Sequence, residues 1–162
     1  MARAASRAIS SVVAVTNAVL LRPLPYPKAE RLFRVNATNS EPNSLATTFA
    51  LSPIELARLQ EQAKTLEQIE GLTVTEMSLM TSGNPETLKV GGVSAGFHRL
   101  FGLQPTTGRD FTAEEDSGRL PVAILGGGTW ARRFGRDPNI VGQAIRLDGT
   151  PYVVIGVTPE GY

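Results

Sequence analysis

Asp148-Gly149, set between "QAIRL" and "TPYVVIGV", constrains this chain more than any other dipeptide in it. Asp-Gly between two apolar-rich runs marks a two-residue β-hairpin, because such turns need positive φ at both central positions. Glycine adopts that conformation freely and aspartate tolerates it. The spacing predicts antiparallel strands at Ala144–Leu147 and Tyr152–Val157.

That hairpin bears on the segment upstream, "VAILGGGTWARRFGR", from Val122 to Arg136. Gly126, Gly128 and Ala131 satisfy the G-x-G-x-x-G/A pattern of dinucleotide-binding folds, and Asp148 lies about 20 residues further on, where a ribose-binding acid would stand. A dinucleotide site needs a strand, the loop, a long helix and a second parallel strand ending in that acid. Here the helix expected from Thr129 closes near Phe134, because "GRDP" stops it. Asp148 belongs to an antiparallel turn. No Lys-Ser/Thr follows the glycines, so a Walker A loop is absent as well. The glycines therefore predict a tight strand-to-helix corner. A soluble nucleotide-binding enzyme using Gly126–Ala131 remains the competing reading.

Elsewhere the pattern is that of a mixed chain of short elements. Arg31–Ala37 alternates Leu32/Arg34 against Phe33/Val35 and predicts a strand, followed by the polar loop "TNSEPNS". Ser52, Pro53 and Glu55 form a helix start of N-cap, first-turn proline and capping-box acid. Leu56, Leu59, Ala63 and Leu66 then fall on one face, as a core-packing stripe would. Ile69–Thr81 and Thr87–Ser94 predict a hairpin around "SGNPE". Ser94 is placed to cap a short helix "AGFHRLF", with Gly102 as its stop.

The chemistry-bearing residues are few. The chain has no cysteine and one histidine, His98, which removes disulfides, thiolate sites and multi-histidine metal centres. His98 lies in an amphipathic stretch between Phe97 and Leu100 and reads as a packing residue. Glu114, Glu115 and Asp116 predict a solvated turn, since consecutive carboxylates seldom converge on a cation. A net charge of +1, with no basic run longer than Arg132-Arg133, leaves no electrostatic footprint for nucleic acid. No catalytic residue, cofactor site or metal site is expected.

Ala8–Leu21, "AISSVVAVTNAVLL", is uncharged and follows Arg3 and Arg7. At about 1.5 Å per residue such a helix falls short of the ~30 Å hydrocarbon core. A signal peptide, an interfacial helix and one end of a membrane helix compete for it. "LLRPLPYP" carries no small-x-small cleavage site, and Pro23, Pro25 and Pro27 end the segment.

Three stretches together resemble a known family: "NAVLLRPLPYP", "VSAGFHRLFGLQPTTGRDFTAEED" and "TWARRFGRDPNIVGQAIRLDGTPYVVIGVTPEGY". In order and spacing they are similar to the MacB-like periplasmic core domain of FtsX-like ABC transporter permeases, in particular the duplicated orphan permeases of acidobacteria. The resemblance runs from about Asn17 to Tyr162. It implies an α+β fold of small mixed or antiparallel sheets with short helices, preceded by an N-terminal apolar, membrane-proximal helix. Residues 1–22 would be the extracytoplasmic end of a transmembrane helix, and 23–162 the N-terminal part of the periplasmic core domain.

Members of that family continue past "GVTPEGY", so the resemblance also implies a truncated permease. The implied role is non-enzymatic: an inner-membrane protein whose periplasmic domain couples membrane-helix motion to substrate or partner engagement. Its partners would be the membrane, the remaining permease segments or a permease dimer partner, and a separate ABC ATPase subunit. No nucleic acid and no cofactor are implied. A vestigial fragment without activity is the third reading.

Overall fold

The computed structural model of the protein describes residues 26, 28–38, 48–49, 51–80 and 84–161. The apolar segment Ala8–Leu21, the prolines at 23, 25 and 27, most of the "TNSEPNS" loop and the Ser82-Gly83 tip of the first hairpin lie outside those residues. The chain divides into two units, Met1–Ser52 and Pro53–Tyr162.

In the first unit a 3-10 turn, Ala29–Arg31, precedes two short strands, β1 (Ala37–Thr38) and β2 (Thr48–Phe49), which pair antiparallel. The strand predicted over Arg31–Ala37 is present only at its last residue. Phe33 is 62% and Val35 47% exposed, so among the described residues the alternating pattern finds no apolar layer whose burial would reward extended pairing.

The second unit is one mixed sheet with short helices. Helix α1 (Pro53–Gln62) opens with proline at its first position, as predicted, but stops short of Leu66. Strands β3 (Leu72–Met80) and β4 (Glu86–Val93) form the predicted hairpin, in register from Leu72↔Val93 to Leu79↔Glu86. Helix α2 (Phe97–Leu100), β5 (Thr107–Gly108) and α3 (Ala113–Gly118) follow. Then come β6 (Val122–Leu125), α4 (Gly127–Phe134), β7 (Ala144–Leu147) and β8 (Thr150–Val157).

The predicted Asp148-Gly149 hairpin is present: β7 and β8 pair antiparallel, with Asp148 at φ 47° and Gly149 at φ 80°. Strand β8 organises the sheet, whose order is β4-β3-β7-β8-β5, with β6 alongside β8. The β6–β8 pairing is parallel and steps from Ala123↔Val154 to Ile124↔Gly156. The register skips Ile155, so β8 bulges there. A parallel pair therefore does exist next to the glycines, but its crossover consists of α4 and β7 together. The strand that follows α4 is the antiparallel one.

The core lies where β3, β6, β7 and β8 meet. Leu79, Leu125, Ile140, Ile145, Leu147, Val154 and Val157 are buried, and Trp130 and Phe134 of α4 pack against them. The α1 stripe does not join this core. Leu56 and Leu59 are half-buried and Leu66 is exposed. Leu56 rests on Gly71, where an added Cβ would stand 2.8 Å from its Cδ2. Among the described residues, the periodic face of α1 borders a groove and adds nothing to the buried cluster.

Candidate functional site

The glycine corner is closed by the chain itself. Gly126 is the N-cap of α4 and has no side-chain cap partner. The Gly127 amide, one of the donors a phosphate would seek at this helix start, donates to Thr158 Oγ1 at 3.4 Å. A Cβ on Gly127 would lie 2.6 Å from the Thr158 carbonyl oxygen and 2.8 Å from the Glu160 nitrogen. Gly126 and Gly128, the residues that match the nucleotide pattern, would meet nothing within 4 Å. The glycine that the fold requires is thus the one the pattern ignores. Its purpose is close packing of α4 against the end of β8. Asp148 is committed elsewhere, to the hairpin turn and to Ser78.

A polar corner is built between β4 and β6. Helix α2 ends in a Schellman motif at Gly102 (φ 65°), with Gly102 N donating to Arg99 O and Leu103 N to His98 O. The predicted stop is therefore present. The predicted cap is not: Gly96 is the N-cap of α2. Ser94 turns its hydroxyl to the Glu70 carboxylate and accepts from Gly71 N at 2.8 Å. Glu70 Oε1 occupies the space above Gly96, only 2.0 Å from where a Cβ would stand.

His98 is buried, at 7% exposure. Its Nδ1 lies 2.7 Å from Asp110 Oδ1, and its ring stacks on Phe111. Asp110 Oδ1 also accepts from Phe111 N at 2.8 Å. His98 packs as the sequence suggests, but it is buried where the sequence reads it as surface or half-buried, and it has a hydrogen-bonded partner that sequence alone did not supply.

The acidic cluster is not a solvated turn. Thr112 caps α3 in a complete capping box with Glu115, whose carboxylate accepts from Thr112 N at 3.0 Å. The same carboxylate holds Arg109 through two bonds of 2.6 and 2.8 Å. Arg109 first, and the Thr112 amide after it, pull the Glu115 carboxyl down to about 2. Asp116 Oδ2 accepts from Ala95 N, 3.0 Å away, tying α3 to the chain that leaves β4. The "T-A-E-E" capping-box signature at Thr112–Glu115 was the available signal for this helix. The partnership with Arg109 had none.

Between α1, the Glu70–Ser94 corner and α3 runs a shallow groove of about 510 Å³, lined by Leu56, Gln60, Glu70, Ser94 and Asp116 among others. Its carboxylates carry structural hydrogen bonds. The Ser94 hydroxyl is held between Glu70 and Gly71 N, so it has the partners of a tie between strands. No group of three or more His, Asp or Glu side chains is arranged to hold a metal among the described residues. The arrangement holds turns and helix ends in place.

The α+β sheet organised by β8 has the fold of two solved domains, each from the extracytoplasmic part of an ABC-type transporter. The extracellular domain of the noncanonic ABC-type transporter YknZ from Gram-positive bacteria aligns with a TM-score of 0.62 at 20% identity, covering 69% of this chain and 59% of that one. The periplasmic region of MacB from Actinobacillus actinomycetemcomitans aligns with a TM-score of 0.61 at 19% identity, covering 68% and 51%.

The family profile of the MacB-like periplasmic core domain matches residues 7–162, and the chain belongs to that family. Among its relatives, the macrolide export ATP-binding/permease protein MacB of Burkholderia pseudomallei (strain 1710b) is 29% identical over 109 residues, 59% of this chain and 17% of that protein. MacB of Salmonella typhi is 30% identical over 69 residues, 43% of this chain and 11% of that protein. The chain spans less than a fifth of the length of these curated relatives. Among the described residues no helix is long and apolar enough to cross a membrane.

Proposed function

We propose that this chain serves as the extracytoplasmic domain of an ABC permease in the cell inner membrane, passing movement of membrane helices to a substrate or partner protein. Residues 1–22 are read as the extracytoplasmic end of a membrane helix and 23–162 as the N-terminal part of the periplasmic core domain. ATP hydrolysis belongs to a separate ABC ATPase subunit. The observation that carries the reading is the extent of the family match, which takes in the apolar segment Ala8–Leu21 together with the whole β8 sheet.

The architecture suits a part that transmits force. At the turn end of the β3–β4 hairpin, Glu86 takes both Arg132, at 3.0 Å, and Arg133, at 2.7 Å, from α4. At the other end Ser94, Glu70 and Gly71 join the two strands by side-chain bonds. A ladder of eight residue pairs bonded at both ends is suited to move as one body. The nucleotide-enzyme reading loses its support where Gly127 packs on Thr158.

Membrane topology tests the proposal. Ala8–Leu21 falls about six residues short of the ~20 that a span needs. The natural chain is expected to leave membranes on carbonate extraction. A variant with about six leucines inserted before Ala8, and Arg3 and Arg7 moved ahead of them, is expected to resist extraction and to expose Pro23–Tyr162 to protease only from the extracytoplasmic side. Protection of Pro23–Tyr162 on the cytoplasmic side would overturn the assignment.

A further inference from the structure

The turn between β7 and β8 carries a chemical liability along with its structural role. Asp148 and Gly149 are both exposed, and a Cβ built on Gly149 would meet nothing within 4 Å. In an Asp-Gly pair a backbone nitrogen reaches a side-chain carboxyl with least hindrance, because glycine sets no side chain beside its own amide. Ring closure between the two needs the Asp148 carboxyl carbon to swing over the Gly149 nitrogen.

The fold holds that carboxyl elsewhere. The Ser78 amide donates to Asp148 Oδ1 at 2.8 Å, and the Asp148 amide donates to the Ser78 carbonyl at 2.9 Å. Both bonds go to one residue of β3, so the side chain and the backbone of Asp148 are fixed together. On the far side of the reacting bond, Arg146 Nη1 donates to the Gly149 carbonyl at 3.0 Å.

We propose that Asp148-Gly149 is a latent site of spontaneous isomerisation, and that the hydrogen bond from the Ser78 amide keeps it unreacted in the folded chain. Once the carboxyl is free, the Gly149 nitrogen attacks Asp148 Cγ. A bond forms between that nitrogen and Cγ, the nitrogen gives up its proton, and the carboxyl hydroxyl leaves with it as water. Water then attacks the former main-chain carbonyl of the five-membered imide, and the bond from that carbonyl to nitrogen breaks. The chain now runs through Asp148 Cβ and Cγ, and the old main-chain carbonyl carbon is the free carboxylate. One water leaves and one returns, and no oxidant or cofactor takes part.

The product is an isoaspartate, whose main chain is one carbon longer. A two-residue turn lengthened in this way cannot keep both the amide and the carboxylate of residue 148 on Ser78. Leu79↔Leu147 and Met80↔Arg146, where β7 meets β3, lie beside that contact. Isomerisation therefore loosens the join between the β3–β4 hairpin and the β7–β8 pair. The proposal follows from the hydrogen bonds of the turn and does not rest on the transport reading.

Proline scanning of β3 tests it. The Ser78 N–H faces Asp148 and so points away from β4. Ser78→Pro removes this donor and leaves the β3–β4 ladder its bonds. Glu76→Pro alters the same side of the strand and keeps the Ser78 donor. The natural chain and both variants are incubated in mildly acidic buffer at body temperature, with circular dichroism to establish that each is folded. Isoaspartate at position 148 is quantified by peptide mapping with electron-transfer fragmentation. Ser78→Pro is expected to isomerise about tenfold faster than the natural chain, the effect of one lost hydrogen bond to a charged acceptor. Glu76→Pro is expected to match the natural chain. Equal rates in Ser78→Pro and the natural chain would overturn the proposal, and so would an equal acceleration in Glu76→Pro. If Ser78→Pro does not fold, the natural chain decides the matter by itself. Folded, it is expected to isomerise at least about tenfold more slowly than in unfolding urea, and equal rates there would also overturn the proposal.

Discussion

Asp148 and Ser78 exchange two hydrogen bonds across seventy residues of chain: the Ser78 amide donates to Asp148 Oδ1 at 2.8 Å, and the Asp148 amide donates to the Ser78 carbonyl at 2.9 Å. One residue thus makes the β7–β8 turn and docks that turn on β3. Asp148→Ala removes the side-chain acceptor and places alanine at φ 47°, a conformation it disfavours. A loss of about 1–2 kcal/mol is expected from urea unfolding. Asp148→Asn retains both the acceptor and the tolerance of positive φ, and is expected to lose under half of that.

The glycine corner gives an ordered series. Gly127→Ala drives a Cβ into the backbone of Thr158 and Glu160, where no flexible side chain can yield, and is expected to cost more than about 2 kcal/mol. Gly128→Ala, inside α4 with open space around it, is expected to stabilise by about 0.5–1 kcal/mol. Thermal unfolding of both variants checks the order. Isothermal titration of the natural chain with ATP or NAD is expected to give no binding tighter than millimolar. Micromolar binding abolished by Gly128→Val would restore the nucleotide reading.

The Glu115 carboxyl is pulled down to about 2 by Arg109 and the Thr112 amide, against an ordinary value of 4.5. A depressed folded-state pKa means that the ionised carboxylate stabilises the fold. That contribution is complete above the ordinary value, and it is lost progressively as pH falls from about 4.5 towards about 2. Melting temperature is expected to fall across that window in the natural chain. Glu115→Gln should start lower at neutral pH and show a shallower acid slope. Equal slopes in the two proteins would remove Glu115 from the acid response.

His98 is buried against Phe111 and bonded to Asp110, so His98→Ala opens a cavity and removes one partner of the Asp110 carboxylate. A loss of about 2–4 kcal/mol is expected in chemical denaturation. In a full-length permease carrying the same corner, His98→Gln is expected to leave transport largely intact, because the residue holds structure and no reacting atom. Transport abolished at unchanged protein level would give it a functional role.

Local signals were legible wherever backbone chemistry dictates them. Asp148-Gly149 fixed its turn by positive φ, Gly102 ended α2, Pro53 opened α1, and the hairpin around "SGNPE" followed from two alternating runs. The failures share a cause. The leucines of α1 have the right period, but among the described residues they do not join the buried cluster. Phe33 and Val35 alternate like a strand but stay exposed among the described residues. Ser94 has the chemistry of a cap, but its hydroxyl found Glu70 and Gly71, partners brought to it by the β3–β4 ladder.

Sequence by itself determined the order of short elements, the antiparallel end of the sheet, the lack of cysteine chemistry and, through its motifs, the family. Only the tertiary structure decided which of three glycines matters, since that rests on how closely α4 approaches Thr158 and Glu160. It alone put Glu115 in the grip of Arg109 and His98 beside Asp110. It alone decided that β7 meets β3 only at Leu79 and Met80 among the described residues. Turn and helix-end propensities are set within a few residues, whereas a close approach or a side-chain ion pair depends on distances between segments that the chain brings together only by folding.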